Sequence, residues 1–180
     1  MSHSYYYFIS TLPVLDFKAQ APISLEQFLE DAKRLLNEVD YADILAAVDE
    51  RTEADSVSSS LLKEWKQFMQ SCCNEGVFVR CAAENKNPMD YLRGERRAEG
   101  CIIEAYAQAA QSPDPLSAEK ILDQMKWQCV HEMGKGHFFD MEFLIVYAIK
   151  LKMLERYKEI SSPKGGELFS QLKEEALQIK

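Results

Sequence analysis

The residues whose side chains could most readily bind a metal or take part in catalysis lie close together in the last third of the chain. Cys129, His131 and His137 all carry metal donors, and His131-Glu132 begins like the His-Glu-x-x-His motif of a zinc-binding helix. That motif needs a second histidine where this chain has Lys135. Three donors without paired spacing do not predict a closed tetrahedral site. We expect His131 or His137 to contact unpaired carbonyls at a helix end instead.

Three further chemistries also lack their motifs. A di-iron carboxylate bundle needs a glutamate three residues before a histidine, but Gln128 and Gly134 occupy those positions. Cys72-Cys73 is an adjacent pair and not a Cys-x-x-Cys redox motif. Gly165-Gly166 lacks the lysine-serine continuation of a phosphate-binding loop and follows a predicted helix. The sequence therefore predicts no catalytic residue, no cofactor-binding residue, no cofactor and no metal ligand.

Two clusters keep a second interpretation open. An enzyme would have to use the segment 131–140, where Glu132 and Asp140 accompany the two histidines. The aromatic run Tyr5-Tyr6-Tyr7-Phe8 predicts either a partner surface or residues buried in the chain's own core.

The charged run between positions 93 and 99 allows an anion site or an ion-paired helix face. Arg93 and Arg97 would share one helical row and Glu95 and Glu99 another, so we favour a helix face that is solvated or ion-paired with a neighbouring helix. Arg96 lies between them.

Charge and composition exclude several classes of protein. The chain has 180 residues, 29 acidic and 21 basic, a net charge of −8, and five cysteines without framework spacing. Up to Asp55 there are eleven acids and four bases, so a nucleic-acid role, which needs a basic surface, is not expected. No apolar run approaches the ~20 residues of a membrane span, and the start has no export-signal pattern. We expect a cytoplasmic protein with reduced thiols.

Helical periodicity dominates the first two-thirds of the chain. The aromatic start favours a strand by propensity or an apolar lead-in to helices. Ser24 should cap one helix and Asp40 a second, while Arg51–Ser60 suggests a flexible connection. A stripe from Leu61 should end at Gly76, and the stretch Val77 to Ala83 allows a strand or a helix, of which we favour the helix. Asn87-Pro88 should open a helix that bends at Gly94 and runs to Ala110.

A corner at Ser112–Pro115 should precede a helix over 117–133, with five inward residues, Ile121, Leu122, Met125, Trp127 and Cys129. The last helix should begin near Asp140 and be enclosed on every side over Phe143–Ile149. Its charged second half should emerge from the bundle. Ser161–Gly166 should end it before a second amphipathic helix.

These elements predict an all-α protein, an irregular bundle of about seven helices. We expect a segment 1–60 with the aromatic lead-in and a helical domain 61–180 built around the 140–160 helix, as two small subdomains or one continuous domain.

Both ends of the chain resemble a known family. The run Tyr5 to Pro13 resembles the opening of a family of uncharacterised bacterial proteins encoded beside the genes of a V-type ATPase. The run Tyr147 to Tyr157 is similar to that family's closing helix. It is more distantly similar to the C subunit of bacterial and archaeal V-type ATPases, whose eukaryotic counterpart is the d subunit. Tyr147, Glu155, Arg156 and Ile160 match its pattern of an apolar helix that runs into a charged segment.

The resemblance implies an all-helical, non-catalytic subunit or accessory protein of a V-type ATPase. Its partners would be other ATPase subunits of the central stalk and rotor ring, and it would be peripheral to the membrane through that complex. The C subunit is a much longer protein, so the present chain would fill its socket between stalk and rotor ring or assist assembly. A free-standing cytosolic adaptor is the alternative.

Overall fold

A computed structural model describes residues 3–49, 51–97 and 99–160, and all regular structure within these ranges is helical. The all-α prediction is therefore confirmed for this part of the chain. Its seven α-helices are α1 (His3–Thr11), α2 (Leu25–Leu35), α3 (Glu38–Val48), α4 (Ser60–Glu84), α5 (Gly100–Ala110), α6 (Pro115–Met133) and α7 (Met141–Ile160). Single 3₁₀ turns occupy Ala54–Ser56 and Pro88–Asp90.

Helix α7 is the centre of the bundle and packs against α2, α3, α4 and α6. Every side chain from Leu144 to Ile149 is buried, and Leu151 and Leu154 continue the burial into the charged half. This confirms the prediction of an enclosed helix, because an apolar surface on all sides needs protein on all sides. The predicted break at Ser161–Gly166 and the second amphipathic helix lie outside the described residues.

The aromatic start forms helix α1, so the strand alternative is wrong and the alternative of an apolar lead-in packed against helices is confirmed. Tyr5, Phe8, Ile9 and Leu12 recur at helical spacing and pack into the core beside α2. The Phe8 ring stacks on Phe28 with centroids 5.4 Å apart. This packing outweighs the β-propensity of the aromatic residues, which is small and depends on context.

Of the first two predicted helix caps, one is confirmed and the other is wrong. The Ser24 side chain accepts a hydrogen bond from the Gln27 amide at 3.1 Å, as expected. Helix α3 is capped by Asn37, whose Oδ1 accepts from the Asp40 amide at 2.9 Å, and not by Asp40. Asp40 is already inside the helix, and its carboxylate instead accepts from the hydroxyl of Tyr5.

The last residues of the connection between α3 and α4 are hydrogen-bonded to α3. The Asp43 carboxylate accepts from the amides of Ser58 and Ser59 at 2.9 and 3.0 Å. Ser59 then caps α4 by accepting from the Leu62 amide. Asp43 is buried, and these bonds compensate for the loss of its hydration.

Helix α4 runs through Gly76 without interruption, so the predicted helix end there is wrong. A Cβ atom at Gly76 would lie 3.1 Å from the Tyr106 ring of α5 and 3.2 Å from the Arg80 guanidinium. The glycine therefore permits the close approach of α5 and does not end the helix.

The single helix predicted over Asn87–Ala110 does not form. Asn87 caps only the 3₁₀ turn, an irregular loop follows, and α5 begins at Gly100. Gly94 has a φ of +67°, which interrupts a right-handed helix instead of bending it.

Helix α6 begins at Pro115, two residues before the predicted start, because Asp114 caps it by accepting from the Ser117 amide. All five residues predicted to face inward are half-buried, whereas Val130 and Asp123 are buried. One cluster of buried apolar side chains includes residues on both sides of position 60. The division at that position stays a prediction.

Candidate functional site

In the segment 131–140, which an enzyme would have to use, the titratable side chains contact separate partners. His131 Nδ1 lies 3.1 Å from the Lys150 ammonium group, and burial lowers the pKa of Lys150. Glu132 is exposed and pairs with Lys135. His137 Nδ1 lies 2.7 Å from the Asp140 carboxylate. The two histidines therefore contact side chains, whereas the sequence suggested contacts with carbonyls.

One potential metal trio occurs among residues 3–49, 51–97 and 99–160. His137, Asp140 and Glu142 have donor atoms within 4.8 Å of one another, whereas Cys129 and His131 belong to no such group. Both oxygens of Asp140 already have structural partners, since the second accepts from the Phe143 amide at the start of α7 at 3.1 Å. The sequence did not place Glu142 in this group.

The five cysteines are free thiols, and two of them are poorly suited to act as nucleophiles. Cys72 is buried and Cys73 is exposed, so the adjacent pair faces in two directions. Desolvation by burial raises the pKa of Cys72 to about 12 and that of Cys129 to about 12. Both of these thiols stay protonated near neutral pH, whereas nucleophilic chemistry needs the thiolate.

An ion-pair network around the buried carboxylate of Asp123 joins α7 to α6. Arg156 Nη1 donates to both oxygens of Asp123 at 2.9 and 2.7 Å, and Nη2 donates to Glu119 at 2.7 Å. The Asp123 side chain is only 4% exposed and also lies 3.2 Å from the ammonium group of Lys126. Sequence spacing predicted α6 as a simple apolar stripe and gave no signal for this buried aspartate.

Two neighbouring contacts join α7 to the first part of the chain. Glu155 Oε1 accepts from the amide of Leu25, the first residue of α2, at 2.6 Å. A carboxylate at this point complements the positive end of the helix dipole. The buried Tyr147 hydroxyl donates to the carbonyl of Pro13 at 3.0 Å. The second half of α7, which was predicted to be exposed, therefore has polar side chains that contact other helices of the bundle.

The charged run before α5 packs on α4 and forms no helix, so the predicted helix face is wrong, whereas an ion pair to another helix, which the sequence also allowed, is present. The buried Asn74 side chain bonds both the amide and the carbonyl of Arg93, at 3.1 and 3.0 Å. Arg96 pairs with buried Glu75 at 2.9 Å and lies 3.9 Å from the centre of the Phe78 ring. Without a helix over 93–99, the expected rows of like charge do not exist.

Two of the open cavities on the described part of the chain have polar linings. One, of about 370 Å³, is lined by carboxylates, Arg97, Cys129 and apolar side chains between α4 and α6. The other, of about 600 Å³, is lined by three lysines, Lys18, Lys120 and Lys158, beside Phe17 and Tyr157. Neither brings the two histidines to a common cleft.

These contacts define an all-helical bundle in which most of the polar side chains described above form hydrogen bonds or ion pairs between one element and another. Within the same described ranges, no helix is both long enough and apolar enough to span a membrane.

Residues 102–176 match the model of a protein family described as a protein of unknown function, DUF2764. The match begins within α5 and includes α6 and α7. No curated protein and no solved structure matches the chain.

Proposed function

We propose that this protein is a non-catalytic helical subunit or accessory protein of a V-type ATPase. It would act in the cytoplasm, peripheral to the membrane through the ATPase, as a socket between central stalk and rotor ring or as an assembly factor. The resemblance described above is the source of this proposal.

One observation carries the proposal furthest. The two segments on which the resemblance rests are far apart in sequence, yet they contact each other through Tyr147 and Pro13. Glu155 and Arg156, which also match the pattern, join α7 to α2 and α6. Three of the four matching positions, Tyr147, Glu155 and Arg156, thus connect α7 to its neighbours, as expected for a shared structural part.

The physical character of the bundle agrees with a mechanical role. A socket needs stiffness and wide contact surfaces, and here α7 is held by four neighbouring helices. The ion pair of Arg156 with buried Asp123, and the hydrogen bonds that hold the loops before α4 and α5, would resist relative motion of the helices. Neither histidine shares a described cavity with an activated nucleophile.

A test begins with the affinity-tagged protein, expressed at its native level and purified with its complexes from gently solubilised membranes. We expect central-stalk and rotor subunits to copurify, whereas a tagged unrelated acidic helical protein should retain none. Deletion of the gene should reduce the amount of assembled ATPase on a native gel, and the wild-type gene should restore it. Normal assembly together with the absence of ATPase subunits from the purified material would refute the proposal.

A free-standing adaptor is the second candidate, because large aromatic side chains are exposed beside the start of α7. It predicts one stoichiometric partner outside the ATPase and no change in ATPase assembly after deletion. The same two measurements therefore separate the two candidates.

A further inference from the structure

An exposed aromatic patch lies where the start of the chain meets the loop before α7. The Tyr6 and Phe139 rings contact each other with centroids 5.0 Å apart, and Phe138 is the neighbour of Phe139 in the chain. Their exposed fractions are 62% for Tyr6, 66% for Phe138 and 56% for Phe139. We call these three residues the aromatic patch.

The exposure of these rings has an energetic cost. Clustered exposed aromatic side chains are typical anchors of binding surfaces, since apolar area in contact with water is unfavourable and is removed by docking. Phe8, in the same helix as Tyr6, is fully buried, so the helix already supplies its core contacts without the patch. The patch rings therefore remain available for an external contact.

The surroundings of the patch are acidic. Tyr5, next to Tyr6, donates to the Asp40 carboxylate, and Glu142 lies close enough to act electrostatically on the Tyr5 hydroxyl. Asp140, next to Phe139, completes this group of carboxylates with Glu142. His137, which is paired with Asp140, is the one titratable nitrogen that this group contacts within the described ranges.

Aromatic faces and carboxylates together favour arginine and lysine side chains, through cation–π contacts and charge-assisted hydrogen bonds.

We propose that the aromatic patch and its acidic border, Asp40, Asp140 and Glu142, dock a basic, arginine-bearing surface of a partner protein. Under the proposed function, on which the partner's identity rests, this surface belongs to an ATPase stalk or rotor subunit. A second copy of this chain is disfavoured because two acidic borders would repel each other. An anionic membrane surface is disfavoured for the same reason.

The test uses the full-length protein and two kinds of probe. The first is a synthetic amphipathic helix of leucine and arginine, with a leucine–glutamate helix as its counterpart. The second is the purified stalk and rotor subunits of the same ATPase. Binding is measured by calorimetry at low and at physiological salt.

The key variant replaces Phe138 and Phe139 by serine, which leaves every charge unchanged. Its control is Met89→Ser, since Met89 is 69% exposed on the 3₁₀ turn before α5. We expect the double variant to bind the arginine helix and the partner protein about 30-fold more weakly, as for loss of aromatic anchors. The control should bind like the wild type. Circular dichroism should show unchanged folding, because both phenylalanines are exposed.

Neutralisation of the border is tested by Glu142→Gln, with Glu104→Gln on α5 as the matched control. We expect a two- to five-fold loss of binding, about the value of an exposed ion pair, and a weaker dependence on salt. The leucine–glutamate helix should not bind any variant.

The outcomes separate this inference from the proposed function. If the ATPase subunits bind the wild type and the serine variant equally well, the inference is wrong and the ATPase role stands. If only the arginine helix binds, and the serine variant loses it, the inference stands and the ATPase role fails. Loss of a self-dimer or of vesicle binding in the serine variant, without any loss of basic probes, would also overturn the inference.

Discussion

Replacement of Arg156 by methionine should destabilise the bundle more than is usual for a side chain that is about one-third exposed. The guanidinium group makes three hydrogen bonds with Asp123 and Glu119, and Asp123 is almost fully buried. Methionine keeps most of the aliphatic length but leaves a buried carboxylate with one fewer cation. The Arg156→Met change therefore tests whether this network holds α6 against α7.

The magnitude follows from the burial of the two partners. Removal of one partner of a buried ion pair typically costs about 3–5 kcal/mol. The Arg156 side chain is 36% exposed, and Lys126 remains 3.2 Å from Asp123. We therefore expect a loss of about 2–3 kcal/mol in the free energy of unfolding, or about 5–10 °C in melting temperature for a chain of this size.

The assay is urea unfolding followed by circular dichroism, with two comparison variants. Arg34→Met removes an exposed ion pair with Asp31, whose side chains are 72% and 37% exposed, and should cost less than about 1 kcal/mol. The double change Asp123→Asn with Arg156→Met should recover part of the loss, because no buried charge is left without its partner. Equal stability of Arg156→Met and Arg34→Met would refute this account of the network.

Three further outcomes follow from contacts elsewhere in the bundle. Asn74→Ala should cost about 2 kcal/mol in urea unfolding, because it removes two buried hydrogen bonds to the loop before α5. Gln70 Nε2 donates to Asn74 Oδ1 at 3.2 Å, so Gln70→Ala is the comparison that removes this bond and leaves both bonds to the loop, and an equal loss in both variants would contradict the assignment. Glu155→Gln should cost about 0.5–1 kcal/mol by removing a negative charge from the start of α2; no loss at low salt would count against this. The thiol pKa values of Cys72 and Cys129, raised from 9.0 to about 12, imply that their contribution to stability is complete below pH 9 and falls as the pH rises towards 12. Replacement of both cysteines by alanine should reduce the slope of unfolding free energy against pH in that window, and an unchanged slope would show that other groups cause it.

Local sequence patterns were sufficient for several elements of the fold. Ser24 with Gln27 marked the start of α2, because the cap uses atoms only three residues apart. The apolar run that ends at Ile149 marked α7 as an enclosed helix, because a surface without a polar side must be covered by protein. Asn87 before a proline marked a cap, which the structure places on a 3₁₀ turn, since this signal also depends only on adjacent residues.

The failures occurred where distant residues decided the outcome. Gly76 resembled a helix end but allows the close approach of Tyr106, a contact across two helices. Arg96 resembled part of a helical charge ladder but pairs with Glu75 on α4. Asp123 appeared to be an ordinary helix position, although its burial depends on Arg156.

The sequence by itself determined that the protein is helical, acidic and built around an apolar helix near its carboxyl end, because spacing and composition act locally. Tertiary structure alone decided which polar side chains are buried in pairs, that Tyr147 meets Pro13, and that Tyr6 and Phe139 form an exposed patch beside carboxylates. The last two features depend on packing between residues more than a hundred positions apart, and periodicity carries no information about such pairs.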